Sequence, residues 1–190
     1  MAAILRTFCM KVLPTSIPDV WIIEPTVYAD QRGWFYESFH HQKFCELLNL
    51  DVQFVQDNHS LSRKNTLRGL HYQVIRPQGK LVRVLVGEIL DVAVDIRRSS
   101  PYFGQYVAYR LSAENKRQLW IPVGFAHGFL TLTETAEVLY KTTDYYYPQG
   151  DRAILWCDKD LAIDWQLAGE PLMSEKDKCA RPLKEAELFP

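Results

Sequence analysis

Three short stretches concentrate side chains able to move a proton or hold an anion: Gln56-Asp57-Asn58-His59, Arg68-Gly69-Leu70-His71-Tyr72-Gln73 and Gly124-Phe125-Ala126-His127-Gly128-Phe129. A fourth, from Tyr140 to Tyr147, is rich in tyrosine. Histidine accepts a proton near neutral pH, so His71 is a candidate base, although a histidine read alone is more often simply packed. Arg68 and His71 stand three residues apart and face opposite sides of a regular strand. They share a face only if Gly69 marks a bulge or bend. His127 lies between small and aromatic residues, and Gly128 would let a ligand come close to the backbone. His59 has less support around it, and His40-His41 read as solvated residues at a helix start. In isolation Arg68 and Lys80 read as surface charges, and Tyr145 to Tyr147 as packing.

A metal site is disfavoured by the spacing. First-row metals take three or four His, Cys or carboxylate ligands, and the chain has no His-x-His. The cysteines Cys9, Cys45, Cys157 and Cys179 are scattered without a CxxC pair, which argues against structural zinc and a disulfide scaffold and suits a reducing cytoplasm. With 22 Lys and Arg against 23 Asp and Glu, the net charge of -1 gives no general field for nucleic acid or an anionic membrane. Any anionic ligand must be bound locally. No apolar run reaches the length of a membrane span, and Met1 to Met10 lacks the features of a secretory signal.

These candidate groups need a scaffold, and the 190 residues suit one domain with a sizeable core. Runs of β-branched and aromatic residues predict strands over Val20–Tyr28, Gly33–Phe39, Val52–His59, Thr66–Gln73, Lys80–Val86, Ile89–Ile96, Gly104–Leu111, Leu119–Pro122, His127–Leu132, Ala136–Thr143 and Ala153–Trp156. The runs Lys80–Val86 and Ile89–Ile96 flank Gly87-Glu88, which reads as a two-residue hairpin turn. In its second strand Leu90, Val92, Val94 and Ile96 share one face, expected as core. Asp91, Ala93 and Asp95 share the other, which is polar or lines something. Only His41–Leu48 reads clearly as a helix, with a second short one near Ser174–Lys178. Many short strands without alternating helices imply an all-β sandwich or jelly roll.

Taken in order, the segments Asp30–Glu37, Val55–Ser60, Leu67–Gln73, Gln78–Lys80, Gly87-Glu88 with Asp91–Asp95, Ser112–Gln118, Ile121–Phe129 and Leu139–Lys141 resemble the dTDP-4-dehydrorhamnose 3,5-epimerase family. The resemblance runs from about Met10 to about Leu183. It leaves residues 1–9 as an N-terminal extension and makes 10–190 one domain. It implies a cupin-like jelly roll without metal or cofactor, forming a cytoplasmic homodimer that acts on a dTDP-4-keto-6-deoxyhexose in making dTDP-L-rhamnose.

In such a sugar the hydrogens on C3 and C5 adjoin a ketone, so removing one gives an enolate that can be reprotonated from the other face. A base, an acid and a stabiliser of the oxyanion are needed. The resemblance makes His71 the base, oriented by Asp177 of the Ser174–Asp177 stretch, and Tyr140 the acid on the opposite face. Lys80 would hold negative charge on O4, with His127 nearby. Arg32 and Arg68 carry over as diphosphate partners, and Glu37, Gln56, Asp57, Asn58 and Lys176 as polar contacts. Tyr146 carries over as an aromatic stacking near the base, and Asp151 as an acidic contact. Trp34-Phe35 stand where the family commonly has Phe-Phe. Two alternatives remain: epimerisation at C3 or C5 alone, and a sugar-binding jelly roll without catalysis.

Overall fold

The computed structural model describes residues 10–167 and 169–190, so the expected extension 1–9, with Cys9, lies outside the described residues. The strands are β1 (Met10–Pro14), β2 (Trp21–Pro25), β3 (Tyr28–Asp30), β4 (Gly33–Phe35), β5 (Gln56–Arg63), β6 (Leu67–Gln73), β7 (Lys80–Val86), β8 (Glu88–Asp95), β9 (Tyr106–Ser112), β10 (Gln118–Ile121), β11 (Phe125–Thr131), β12 (Thr135–Thr142) and β13 (Asp151–Ala153). They form a six-stranded sheet, β1-β2-β10-β7-β12-β5, and a five-stranded sheet, β13-β6-β11-β8-β9, with β3-β4 a separate hairpin. All these pairings are antiparallel. The fold is an all-β, cupin-like jelly roll. Helix α1 (His41–Leu48) stands where periodicity put it, and α2 (Glu175–Lys178) falls within the second expected helix. Strand β1 was not foreseen, and the long run from Val20 divides into β2 and β3.

The expected hairpin at Gly87-Glu88 is not one. Strand β7 is flanked by β10 and β12 in one sheet, and β8 by β11 and β9 in the other. Gly87 therefore carries the chain across from sheet to sheet. Its φ of +74°, and the 2.1 Å that would separate an added Cβ from the Thr135 carbonyl oxygen, explain the glycine. A short connection with a left-handed glycine serves a hairpin or a crossing equally. Strands distant in sequence decide which, by occupying both edges of β7.

Both faces of β8 are buried, because the five-stranded sheet is covered twice. Ile89 and Ala93 join Val82, Val84, Phe125 and Phe129 in the core between the sheets. Leu90, Val92, Val94 and Ile96 pack outward under the C-terminal segment, against Leu161, Trp165 and Leu183. A third cluster sits between the six-stranded sheet and α1, where the Phe44 and Trp120 rings meet edge to face at 5.3 Å.

Candidate active site

Strand β6 lies between β13 and β11, and its pairing with β11 is irregular at the point that matters. Arg68 lies opposite Phe129 and His71 opposite His127, so β6 spends one more residue than β11 over that interval. The extra residue is a bulge, and with it both Arg68 and His71 line one cavity. Gly69 sits at φ +122°, where an added Cβ would fall 2.5 Å from Gly128 Cα and 2.7 Å from the His127 oxygen. A Cβ on Gly128 would in turn lie 2.7 Å from the Arg68 oxygen. The two glycines let the strands close over each other at the bulge.

The cavity measures about 370 Å³ and opens between the sheets. The five-stranded sheet contributes Arg68, His71, His127 and Asp151, while the six-stranded sheet contributes Asn58, Lys80 and Tyr140. Tyr146 and Lys176 complete this part of the wall. His71 and Tyr140 thus approach the same space from opposite sheets.

His71 Nε2 lies 2.5 Å from Asp177 Oδ1. Asp177 is buried on α2, whose N-cap Ser174 accepts the Asp177 N–H at 3.2 Å. Burial pushes the Asp177 carboxyl up, but hydrogen bonds from His71, Ser174 and the Gly69 N–H, with the His71 charge, hold it below the usual carboxylate range. An ionised carboxylate only accepts, so Nε2 carries the hydrogen of a neutral His71 and Nδ1 carries the lone pair.

Lys80 is buried and donates from Nζ to the His71 carbonyl oxygen at 3.2 Å. Burial lowers its pKa to about 8 against the opposing pull of Asp91 and Asp151. The equally buried His127 holds Asp91 Oδ1 at 2.7 Å from its Nε2, and burial pulls its pKa down despite that carboxylate. Burial raises the Tyr140 phenol, opposed by the Arg68 charge, so Tyr140 stays protonated at neutral pH. Its ring centroid is 6.5 Å from that of His127. Arg68 Nε donates to Ser62 Oγ at 3.0 Å. The Tyr146 hydroxyl donates to Asp151 Oδ2 at 3.1 Å, and Lys176 pairs with the same carboxylate.

Of the remaining sequence candidates, His59 lines the same cavity, whereas Gln56, Asp57, Glu37 and Arg32 stand apart from it. Gln56 is one step removed: its amide donates to Asn58 Oδ1 at 2.9 Å and its Oε1 accepts the Tyr146 N–H at 2.9 Å. Asp57 points to the other side of β5 and pairs with Lys141 at 2.9 Å. Glu37 pairs with Lys43 at 2.8 Å. Arg32 is exposed at the β3-β4 turn, paired with Asp30 at 2.6 Å. Sequence reasoning missed Ser62 and the partnership of Asp91 with His127. The signal for Asp91 was its place on the polar face of β8, but nothing local tied that face to a histidine 36 residues away. Among the described residues no group of three His, Cys, Asp or Glu side chains is arranged to hold a metal ion.

This wall unites a histidine oriented by a carboxylate, a protonated phenol opposite it and a buried lysine, a set suited to proton abstraction beside a carbonyl. A sequence model described as dTDP-4-dehydrorhamnose 3,5-epimerase matches residues 14–185. The chain belongs to the dTDP-4-dehydrorhamnose 3,5-epimerase family. Membership in this 3,5-epimerase family makes it an isomerase of nucleotide-sugar biosynthesis. The family's enzyme from Pseudomonas aeruginosa is 56% identical, over 95% of this chain and all of the relative. That of Salmonella typhimurium is 58% identical, over 94% and 98%. The crystal structure of the Legionella pneumophila 3,5-epimerase in complex with dTDP-4-keto-L-rhamnose superposes with a TM-score of 0.92 at 53% identity, covering 94% of this chain and 95% of that one. A 3'-monoepimerase of Streptomyces bikiniensis, in complex with dTDP-quinovose, shares the fold at a TM-score of 0.85 but only 34% identity, over 90% and 87%.

Proposed function

We propose that the protein epimerises both C3 and C5 of dTDP-4-dehydro-6-deoxy-D-glucose, in the route to dTDP-L-rhamnose. The observation that carries this reading is the placement of His71 and Tyr140 on opposite sheets across one cavity, with Lys80 in the same wall. His71 Nδ1 takes the proton from the carbon beside the ketone, and Asp177 stabilises the resulting imidazolium. The O4 enolate is held by the Lys80 ammonium, and Tyr140 returns a proton from the opposite face. His127 lies beside this oxygen. Identities of 56% and 58% to enzymes named for both positions, against 34% to a monoepimerase, support inversion at two carbons.

Arg68, Lys176 and Asn58 are assigned to the diphosphate and sugar, and exposed Tyr146 to stacking on the thymine, with Gln56 and Asp151 holding it in position. Arg32, Glu37 and Asp57 do not line this cavity. For Arg32 and Glu37 we assign a role across a homodimer, since Trp34 and Phe35 leave the β3-β4 hairpin with two large exposed aromatics beside Arg32. Asp57 is kept as an outer polar contact. Among the described residues no helix is long and apolar enough to cross a membrane, and the free thiols of Cys45, Cys157 and Cys179 suit the cytoplasm, where the reading sets the reaction. Sedimentation equilibrium that finds a monomer would remove the role of the hairpin.

Proton NMR of the substrate in D2O tests the reaction. Deuterium should enter at both C3 and C5, and exchange at one carbon alone overturns the double epimerisation. With Tyr140→Phe, solvent exchange should persist while inversion is lost. Normal inversion by that variant would show that Tyr140 is not the acid.

A further inference from the structure

Strand β5 turns a polar row inward. Its residues alternate in burial, with Asp57, His59, Leu61 and Arg63 exposed and Gln56, Asn58, Ser60 and Ser62 on the sheltered side. A strand facing only the core between the sheets would carry apolar residues there, so this row serves the cavity. At its end Ser62 is 2% exposed, and a hydroxyl so buried is costly without a hydrogen bond. Its partner is Arg68, six residues on and across the turn that carries the chain from one sheet to the other.

Arg68 Nε donates to Ser62 Oγ at 3.0 Å, and Nη2 donates to the Leu61 carbonyl oxygen at 3.4 Å. Nε and Nη2 form the side edge of the planar guanidinium, and both of these hydrogen bonds end on β5. The end edge, Nη1 with the other Nη2 hydrogen, has no hydrogen bond among the described residues, and no carboxylate there pairs with Arg68. Parallel N–H groups on such an edge match two phosphate oxygens. An arginine already held by its other edge loses less rotamer freedom on gripping an anion than one that is free.

We propose that Ser62 is a positioning residue for nucleotide binding: it holds the side edge of the Arg68 guanidinium, so that the end edge is presented to the diphosphate. The serine lies behind the cavity wall and acts through Arg68. This inference rests on the assignment of Arg68 to the diphosphate.

Calorimetric titration with dTDP tests it in a double-mutant cycle. Arg68→Ala should weaken binding about 30-fold, and Ser62→Ala about fivefold. In the Arg68→Ala background Ser62→Ala should have no further effect, since only the arginine transmits it. In steady-state kinetics Ser62→Ala should raise KM about fivefold with kcat little changed. An affinity that falls in Arg68→Ala but not in Ser62→Ala overturns the proposal. So does a Ser62→Ala loss that recurs in full in the Arg68→Ala background, the mark of a structural role. An affinity unaltered by Arg68→Ala overturns the assignment of Arg68 to the diphosphate, and the proposal with it. The wild-type protein supplies a second reading should Ser62→Ala fail to fold. In ligand-free 15N-labelled protein the Arg68 Nε–H resonance, identified by its loss in Arg68→Lys, should exchange with solvent about tenfold or more slower than in free arginine. Exchange at the free rate overturns the lock.

Discussion

The hydrogen bond between His71 and Asp177 decides which nitrogen can act. With the carboxyl held ionised by three hydrogen bonds, the Nε2 hydrogen is committed and Nδ1 is left basic. Asp177→Asn removes the charge that stabilises an imidazolium and allows the amide nitrogen to face Nε2, favouring the wrong tautomer. Steady-state kinetics should show kcat lowered on the order of 10²-fold or more, with KM little changed. An unchanged kcat would remove Asp177 from the mechanism. The same pair bears on stability. A carboxyl with a folded-state pKa below its unfolded value stabilises the fold above the unfolded value, near 4, and that contribution is lost as pH falls through the folded one. Acid titration of wild type against Asp177→Asn should therefore show the wild-type advantage shrinking below about pH 4.

At the scale of elements, the site depends on one bulge. Gly69→Ala places a Cβ within 2.5 Å of the Gly128 backbone at a φ that side chains rarely adopt. Strands β6 and β11 would have to separate or the bulge shift along the strand, turning Arg68 and His71 to opposite faces. Stability should fall by about 2 kcal/mol or more in urea denaturation, and activity should be lost even where the protein folds. A fully active Gly69→Ala would mean that the bulge does not set the geometry. This feature was legible in the sequence as a condition: spacing said that Arg68 and His71 could share a face only through Gly69. Helix α1 was legible too, because its apolar spacing is local. The crossing at Gly87 was not, since a left-handed glycine between two apolar strands satisfies hairpin and crossing alike. Asp177 escaped every local pattern. It reaches His71 from 106 residues away, on a four-residue helix, and only the family resemblance singled it out.

The whole molecule carries the cost of holding an ammonium in a largely buried place. Lys80 has a pKa of about 8 in the folded protein against 10.5 for the free side chain. Below pH 8 both states hold the proton, and the folded state bears the full penalty of burying the charge, roughly 3 kcal/mol at 1.4 kcal/mol per unit. Between pH 8 and 10.5 the unfolded chain binds the proton more tightly than the fold does, so stability rises with pH relative to a variant that cannot titrate there. Urea denaturation of wild type and Lys80→Met at pH 7 and pH 10 isolates this contribution, because groups away from Lys80 titrate equally in both proteins and the neighbouring His127, its pKa lowered by burial, is not the group that titrates between those values. Wild type should gain on the variant as pH rises, by up to about 3 kcal/mol. A difference independent of pH would mean that the buried ammonium imposes no strain on folding, and that the interior between the sheets is more polar than its packing implies. The direction of the effect sets stability against activity: the protonated lysine that weakens the fold at neutral pH is the form able to hold an enolate oxygen.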